Sequence, residues 1–162
     1  MTPGIDLHTH TNASDGALTP EELVALAAER DVRILGITDH DTTDAIEPAL
    51  SAAARQGLLL IPGVEISTHH QAGELHVLGY GIDLANAELQ GLLARSRGSR
   101  IQRAQRMLDL LSGLGVPIRW ERVSALAGDG TVGRPHIAAA LIEAGHVSSI
   151  QDAFDRYLGA AC

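Results

Sequence analysis

The sequence has no lysine and a single cysteine, Cys162, at its last position. One cysteine excludes a disulfide framework, and a zinc site built from cysteines is not expected. The formal net charge is -8, so a basic surface for non-specific nucleic-acid binding is also not expected. Nucleotide substrates remain compatible with this charge, because bound metal ions supply local positive charge.

Aromatic residues and long apolar runs are also scarce. Trp120, Phe154, Tyr80 and Tyr157 are the whole aromatic set, so the core must consist of Leu, Ile, Val and Ala. No apolar run has the length of a membrane-spanning helix, and the first residues have neither the basic nor the apolar region of a signal peptide. We therefore expect a cytoplasmic protein without membrane contact, whose length fits one ordinary domain.

Strand and helix patterns alternate in the first half of the chain. The first helix begins with Thr19 as N-cap, Pro20 in the first turn and Glu22 completing a capping box, and the second ends at Gly57. The order β-α-β-α-β-β, with near-continuous apolar strands, indicates an α/β fold with a parallel sheet covered by helices. The strands are predicted at residues 4–8, 32–38, 58–68 and 74–82.

The second half is predicted to be all-helical. A long helical pattern covers residues 86–115, with a bend expected near Gly98. Shorter helical patterns follow at residues 120–128, 134–145 and 148–159. Arginines recur at every third position of the long pattern, and a solvated face is the interpretation we favour; they are Arg97, Arg100, Arg103 and Arg106.

Residue types that bind metals collect at the predicted strand ends. His8 and His10 are two residues apart, so on a strand both side chains lie on one face and can hold one metal. The other candidates follow later strands or the first loop: Asp15, Asp39, His40, Asp41, Glu65 and His76. Each alone is more typical of a hydrogen-bonded surface group or a turn, but together they suit zinc, manganese or iron. His69 and His70 are interpreted as surface-loop residues.

Four motifs, in this order, resemble the successive motifs of the PHP (polymerase and histidinol phosphatase) family: DLHTHTNASDG, ITDHDT, GVEIS and ELHVLGYGI. The later GRPHIA resembles the branch that contains 3′,5′-nucleoside bisphosphate phosphatases and a 5′→3′ exoribonuclease activity. The resemblance implies the N-terminal part of a distorted (β/α)7 barrel with parallel strands. It also implies up to three divalent metal ions (Mn2+, Zn2+ or Fe2+) at the C-terminal ends of the strands.

The resemblance assigns the metal ligands residue by residue. A first metal would be held by His8, His10 and Glu65. Glu65 would bridge to a second metal, which His76 would also bind.

A third metal would be held by Asp15 and His40, with Asp39 orienting His40 rather than binding metal. Asp39, His40 and Glu65 are therefore the candidate catalytic residues. The implied activity is hydrolysis of a phosphate ester of a nucleotide or oligonucleotide by a metal-activated hydroxide, because adjacent divalent ions lower the pKa of bound water. A histidinol-phosphatase-like activity is an alternative within the family.

The GRPHIA motif is predicted to bind a 5′ or 3′ phosphate of the substrate. Arg134 and His136 lie at the start of a helical pattern, where free N–H groups and the helix dipole favour an anion. Arginine can also bind phosphate through two parallel hydrogen bonds. An exposed helix start is the alternative interpretation. Duplex DNA binding by a helix-turn-helix in this region is not expected, because few basic residues lie there.

The AHP motif and the late DxH motif that the family carries in its last part do not follow the helical patterns in this sequence. We therefore expect residues 1–84 to form the N-terminal βα part of the barrel and residues 85–162 a helical insertion, with the remaining barrel absent. The exposed sheet edge would then favour self-association. The missing ligands leave a second interpretation open, a metal-binding or interaction module without turnover.

Overall fold

The computed structural model describes residues 4–70 and 73–159, and four strands and two helices form its first part. These elements are, in chain order, β1 (Gly4–Thr9), α1 (Pro20–Glu29), β2 (Val32–Ile37), α2 (Ile46–Gln56), β3 (Leu59–His70) and β4 (Gly73–Tyr80). The later elements are α3 (Ala87–Gly113), α4 (Trp120–Ala127), α5 (Arg134–Glu143), α6 (Ile150–Ala153) and a π-helical turn (Phe154–Leu158). Among the described residues, no helix is both long and apolar enough to cross a membrane.

The four strands form one sheet in the order β1-β2-β3-β4. The predicted parallel pairing is confirmed for β1 with β2 and for β2 with β3. It does not extend to β4, which runs antiparallel to β3. The reason is the length of the connection, since a parallel crossover needs a dozen or more residues and residues 71–72 alone separate the two strands. β3 also continues through His69 and His70, which the sequence had assigned to a loop.

Helices α1 and α2 cover the apolar side of the sheet. Their start and end signals are those predicted: Thr19 Oγ1 accepts a hydrogen bond from Glu22 N–H at 3.2 Å, and Glu22 Oε2 accepts one from Thr19 N–H at 2.9 Å. α2 ends at Gly57, whose φ of 65° is a conformation that glycine adopts without strain. The buried residues between the helices and the sheet are Val24, Ala27, Leu35, Ile37, Ala45, Ile46, Ala49, Ala52, Ala53, Leu58 and Leu60.

The chain divides into two compact units, Met1–Ser96 and Arg97–Cys162. The division lies within α3, so the first unit contains the sheet with α1 and α2 and the second contains the later helices. The boundary expected between residues 84 and 85 precedes α3, and it stays a prediction.

The second unit has a helical core of its own, made mainly of Leu, Val, Ile and Ala side chains. On its surface, Arg122 of α4 donates two hydrogen bonds to the Glu143 carboxylate of α5, at 2.6 and 2.7 Å. These bonds hold the pKa of Glu143 below its ordinary value. The arginines on α3 were interpreted as a solvated face. This is wrong for Arg100, of which only 5% of the surface is exposed.

Replacing Gly98 by alanine is expected to stabilise the protein. α3 runs without interruption through Gly98, and a Cβ placed there would meet open space. Alanine in a helix interior is more favourable than glycine by about 1 kcal/mol, because it loses less backbone entropy on folding. Urea unfolding of the Gly98→Ala variant should show a higher midpoint with an unchanged slope. A lower midpoint would contradict the expectation.

Candidate metal centre

The predicted metal ligands converge on one side of the sheet in the first unit. His8 lies in β1 and His10 just after it, His40 follows β2, and Glu65 and His76 lie in β3 and β4. The sequence had placed all of them at strand ends, but Glu65 and His76 are in the middle of their strands. The antiparallel register pairs Ser67 with His76 and Glu65 with Leu78. Glu65 and His76 are therefore diagonal neighbours on one face of the hairpin, close enough for their side chains to touch.

The Glu65 carboxylate is the centre of the cluster, and its side chain is buried. Its Oε2 lies 2.9 Å from His8 Nε2 and 3.1 Å from His10 Nε2. Its Oε1 lies 2.6 Å from His76 Nδ1. Each carboxylate oxygen thus faces a different set of imidazoles, so the carboxylate could bridge two ions.

Asp15 provides the second carboxylate of the cluster. Its Oδ1 lies 3.4 Å from His10 Nδ1, and its Oδ2 lies 3.6 Å from His40 Nε2. The other ring nitrogen of His40, Nδ1, is 3.7 Å from Glu65 Oε2. His40 therefore lies between the two carboxylates.

The side chains form three overlapping groups whose ligand atoms lie within 4.8 Å of one another: His8, His10 and Glu65; His10, Asp15 and His40; and His40, Glu65 and His76. Imidazole nitrogens and carboxylate oxygens lie about 2.0–2.2 Å from ions such as zinc, so two such atoms on one ion are about 3.0–3.5 Å apart. The contact of Glu65 Oε2 with His10, at 3.1 Å, has this spacing, and the contact with His8, at 2.9 Å, is slightly shorter. The donor types and the spacing therefore fit divalent metal ions.

Asp39 is buried beside the cluster, and its carboxylate holds the loop that follows β1. It accepts hydrogen bonds from Thr11 N–H at 2.7 Å, from Thr11 Oγ1–H at 2.7 Å and from Ser14 Oγ–H at 2.6 Å. The sequence had predicted that Asp39 orients His40. These contacts show that Asp39 stabilises the loop that carries His10 and Asp15. Its assignment as a catalytic residue stays a prediction.

Asp41 is a residue whose structural role the sequence did not indicate. Its φ of 54° is left-handed, an uncommon conformation for a residue other than glycine. Its N–H donates to Glu65 O at 3.0 Å, and its Oδ1 accepts from Ser67 N–H at 2.9 Å. Asp41 thereby attaches the segment that follows β2 to β3 at Glu65 and Ser67. The Asp-His-Asp pattern drew attention to Asp41 as a candidate, but such a pattern does not indicate the backbone conformation of a residue.

Arg134 and His136 lie at the start of α5, as predicted. His136 Nδ1 accepts a hydrogen bond from Gly133 N–H at 3.0 Å, which closes the first turn. The Arg134 guanidinium lies 5.6 Å from the centre of the Phe154 ring and 3.5 Å from Leu158 O. Both residues belong to the second unit, and their predicted contact with a phosphate stays a prediction.

Comparison with known proteins gives consistent matches over nearly the whole chain. The family model described as "PHP domain" matches residues 6–159. The chain is 47% identical to the 5′-3′ exoribonuclease Rnm of Escherichia coli (strain K12), over 94% of this chain and 53% of that protein. It is 36% identical to the 3′,5′-nucleoside bisphosphate phosphatase of Chromobacterium violaceum, over 95% of this chain and 54% of that protein.

A solved structure shares the fold. The crystal structure of a protein from Bifidobacterium adolescentis, assigned as a metal-dependent phosphoesterase, superposes with a TM-score of 0.91 and 36% identity, covering 100% of this chain and 57% of that one. This match confirms the predicted fold class, the partial barrel of strands and helices. The chain thus spans about half the length of the proteins it matches.

Proposed function

Since the chain belongs to the PHP domain family, we propose that it forms the metal-binding N-terminal part of a phosphoesterase acting on a nucleotide or oligonucleotide. The proposal rests on one observation above all, the Glu65 carboxylate with its two oxygens against different histidines. A bridging carboxylate is what a site with neighbouring ions requires, and such sites suit displacement at phosphorus.

The chain's own residues have distinct tasks in this proposal. His8, His10 and Glu65 hold one ion, and Glu65 with His76 holds its neighbour. Asp15 and His40 hold a third position. When bound, divalent ions lower the pKa of a coordinated water and stabilise the oxygens of an in-line displacement at phosphorus. Asp39 and Asp41 keep the two flanking loops in place, so that the ligands are oriented before the substrate arrives.

The substrate class is proposed from the relatives and from α5. The two relatives described above are named for hydrolysis of RNA and of a nucleoside bisphosphate, and both reactions cleave a phosphate ester of a nucleotide. We propose that Arg134 and His136 bind a 5′ or 3′ phosphate of the substrate. Mn2+, Zn2+ and Fe2+ all suit the ligands, and up to three ions are expected. The absence of duplex DNA binding, the self-association and the cytoplasmic location expected from the sequence stay predictions.

A metal-binding module without turnover is the second candidate. Each group of described ligands provides three protein atoms, whereas zinc usually takes four ligands and catalytic sites leave one position for water. The groups are therefore sufficient to bind metal, but each ion would have more of its positions open than in a closed site.

The experiment is a hydrolysis assay with added Mn2+ on two substrates, adenosine 3′,5′-bisphosphate and a 5′-phosphorylated oligoribonucleotide. We expect release of phosphate or mononucleotide that is abolished by EDTA and by His8→Ala, and unchanged in His146→Ala, a matched histidine variant outside the cluster. An equal rate with EDTA would contradict the metal mechanism. Stoichiometric metal binding without turnover on either substrate would favour the module.

A further inference from the structure

Ser14 lies at the junction of Asp39, His10 and Asp15. The residue is buried, and its Oγ is 2.6 Å from Asp39 Oδ1, 3.4 Å from His10 Nδ1 and 3.4 Å from Asp15 Oδ1. Ser14 is not one of the metal ligands. Its position behind His10, on the side of the ring away from Glu65, is what makes it of interest.

The positions of the protons around Ser14 follow from the number of available donors. A serine hydroxyl has one proton to donate, and the 2.6 Å contact with the Asp39 carboxylate has the length of a strong charge-assisted hydrogen bond. The Asp39 carboxylate also accepts two hydrogen bonds from Thr11, so it acts as an acceptor throughout. Towards His10, the Ser14 oxygen can therefore only accept a hydrogen bond.

The same reasoning applies to the other neighbour of His10 Nδ1. Asp15 Oδ1, at 3.4 Å, is a carboxylate oxygen and also only accepts. Both atoms near Nδ1 thus favour a proton on that nitrogen. At 3.4 Å these contacts are longer than ordinary hydrogen bonds, so they select the tautomer rather than hold the ring tightly.

We infer that Ser14, itself held by Asp39, is a positioning residue that fixes the tautomer of His10. With the proton on Nδ1, the other nitrogen, Nε2, carries the lone pair and faces Glu65 Oε2 at 3.1 Å. A histidine ligand is commonly oriented in this way, with its second nitrogen donating to a nearby acceptor. The inference rests on the proposed metal centre, and it adds a residue that touches neither metal nor substrate.

One consequence concerns the two ligand groups that share His10. A protonated Nδ1 cannot bind metal, so His10 serves the group of His8 and Glu65 through Nε2. The group of Asp15 and His40 is then left without His10. The Asp39–Ser14 pair would thus decide which ion His10 binds.

The test uses Zn2+ as probe on the whole chain, with two variants, Ser14→Ala and Asp39→Asn. Ser14→Ala removes one of the two acceptors near His10 Nδ1. Asp39→Asn replaces the charged acceptor of the serine proton by a neutral amide, which weakens that hydrogen bond and allows the hydroxyl to turn towards His10. Zn2+ affinity is measured by competition with a chelator, and the His10 tautomer by 15N NMR of histidine-labelled protein, with the signal assigned from a His10→Gln spectrum. We expect the Zn2+ affinity to fall about 10- to 100-fold in both variants.

The tautomer readout separates this inference from a merely structural role of Ser14. In the metal-free state, wild-type protein should show the proton on His10 Nδ1, and Ser14→Ala should show a mixture of the two tautomers. Thr131→Ala, which removes a buried hydroxyl in the second unit, is the matched control and should leave Zn2+ affinity unchanged. If both variants keep the wild-type tautomer and affinity, the inference is wrong while the metal centre stands. If wild-type protein binds no Zn2+, the proposed function fails and the inference with it.

Discussion

Replacing Glu65 by glutamine is expected to lower the Zn2+ or Mn2+ affinity of the protein by more than about 100-fold, since loss of even an outer-shell partner costs about 10- to 100-fold. The substitution keeps the size of the side chain but removes the negative charge. It affects the contacts of Oε2 with His8 and His10 and that of Oε1 with His76 at once. Two of the three ligand groups contain Glu65, so the number of tightly bound ions should fall as well as their affinity.

The measurement for Glu65→Gln is metal content after dialysis, together with a titration by calorimetry. Glu47→Gln provides the matched control, because Glu47 is exposed on α2 and lies outside every ligand group. The control should bind as many ions as the wild type and equally tightly. If Glu65→Gln retained the wild-type number of ions and affinity, Glu65 would not be a bridging ligand and the proposed arrangement would be wrong.

The second large effect is expected from Gly16→Ala. A Cβ on Gly16 would overlap His10 O and would lie 2.5 Å from His10 C and 2.8 Å from Thr11 N. These are backbone atoms, which cannot turn aside as a side chain would. The loop between His10 and Asp15 must therefore shift, and both ligands shift with it. We expect a destabilisation of about 1–3 kcal/mol, the usual cost of overpacking, and a loss of metal affinity.

Gly98→Ala is the matched comparison for Gly16→Ala. The same glycine-to-alanine change is expected to raise the stability of the protein at position 98 and to lower it at position 16. Thermal or urea unfolding gives the stability of each variant, and chelator competition gives its Zn2+ affinity. Gly16→Ala with unchanged affinity would show that the loop accommodates the methyl group without moving His10 or Asp15. Such a result would mean that metal binding does not depend on a glycine at position 16.

The sequence predicted the first part of the fold well because its signals there are local. Thr19, Glu22 and Gly57 mark the ends of α1 and α2, and these ends depend on residues a few positions apart. The direction of β4 was not predicted, because the loop assigned to His69 and His70 hid the tight connection to β3. Once both strands extend to residues 70 and 73, the antiparallel pairing follows from chain length alone.

The six candidate ligands were chosen from residue types and from the resemblance to the family, and the structure brings their side chains together. That they bind metal stays a prediction. The residues that support them were largely invisible in the sequence. Ser14 depends on a contact with Asp39 across 25 positions, and Asp41 on a backbone conformation that the sequence does not specify. The burial of Arg100 was missed for a similar reason, since a periodic arginine pattern gives no information on what packs against each member.

The order β1-β2-β3-β4 has a consequence for how the site comes into being. Every strand pairs with its neighbour in the chain. The longest connection that a pairing has to close is therefore residues 10–31, and loop closure over such a length has a modest entropic cost. During synthesis the sheet can grow strand by strand in the direction of translation. The ligands are added in the same order, from His8 to His76, and the carboxylate of Glu65 arrives last but one. The six described candidate ligands are therefore together as soon as β4 pairs, before α5 has been made.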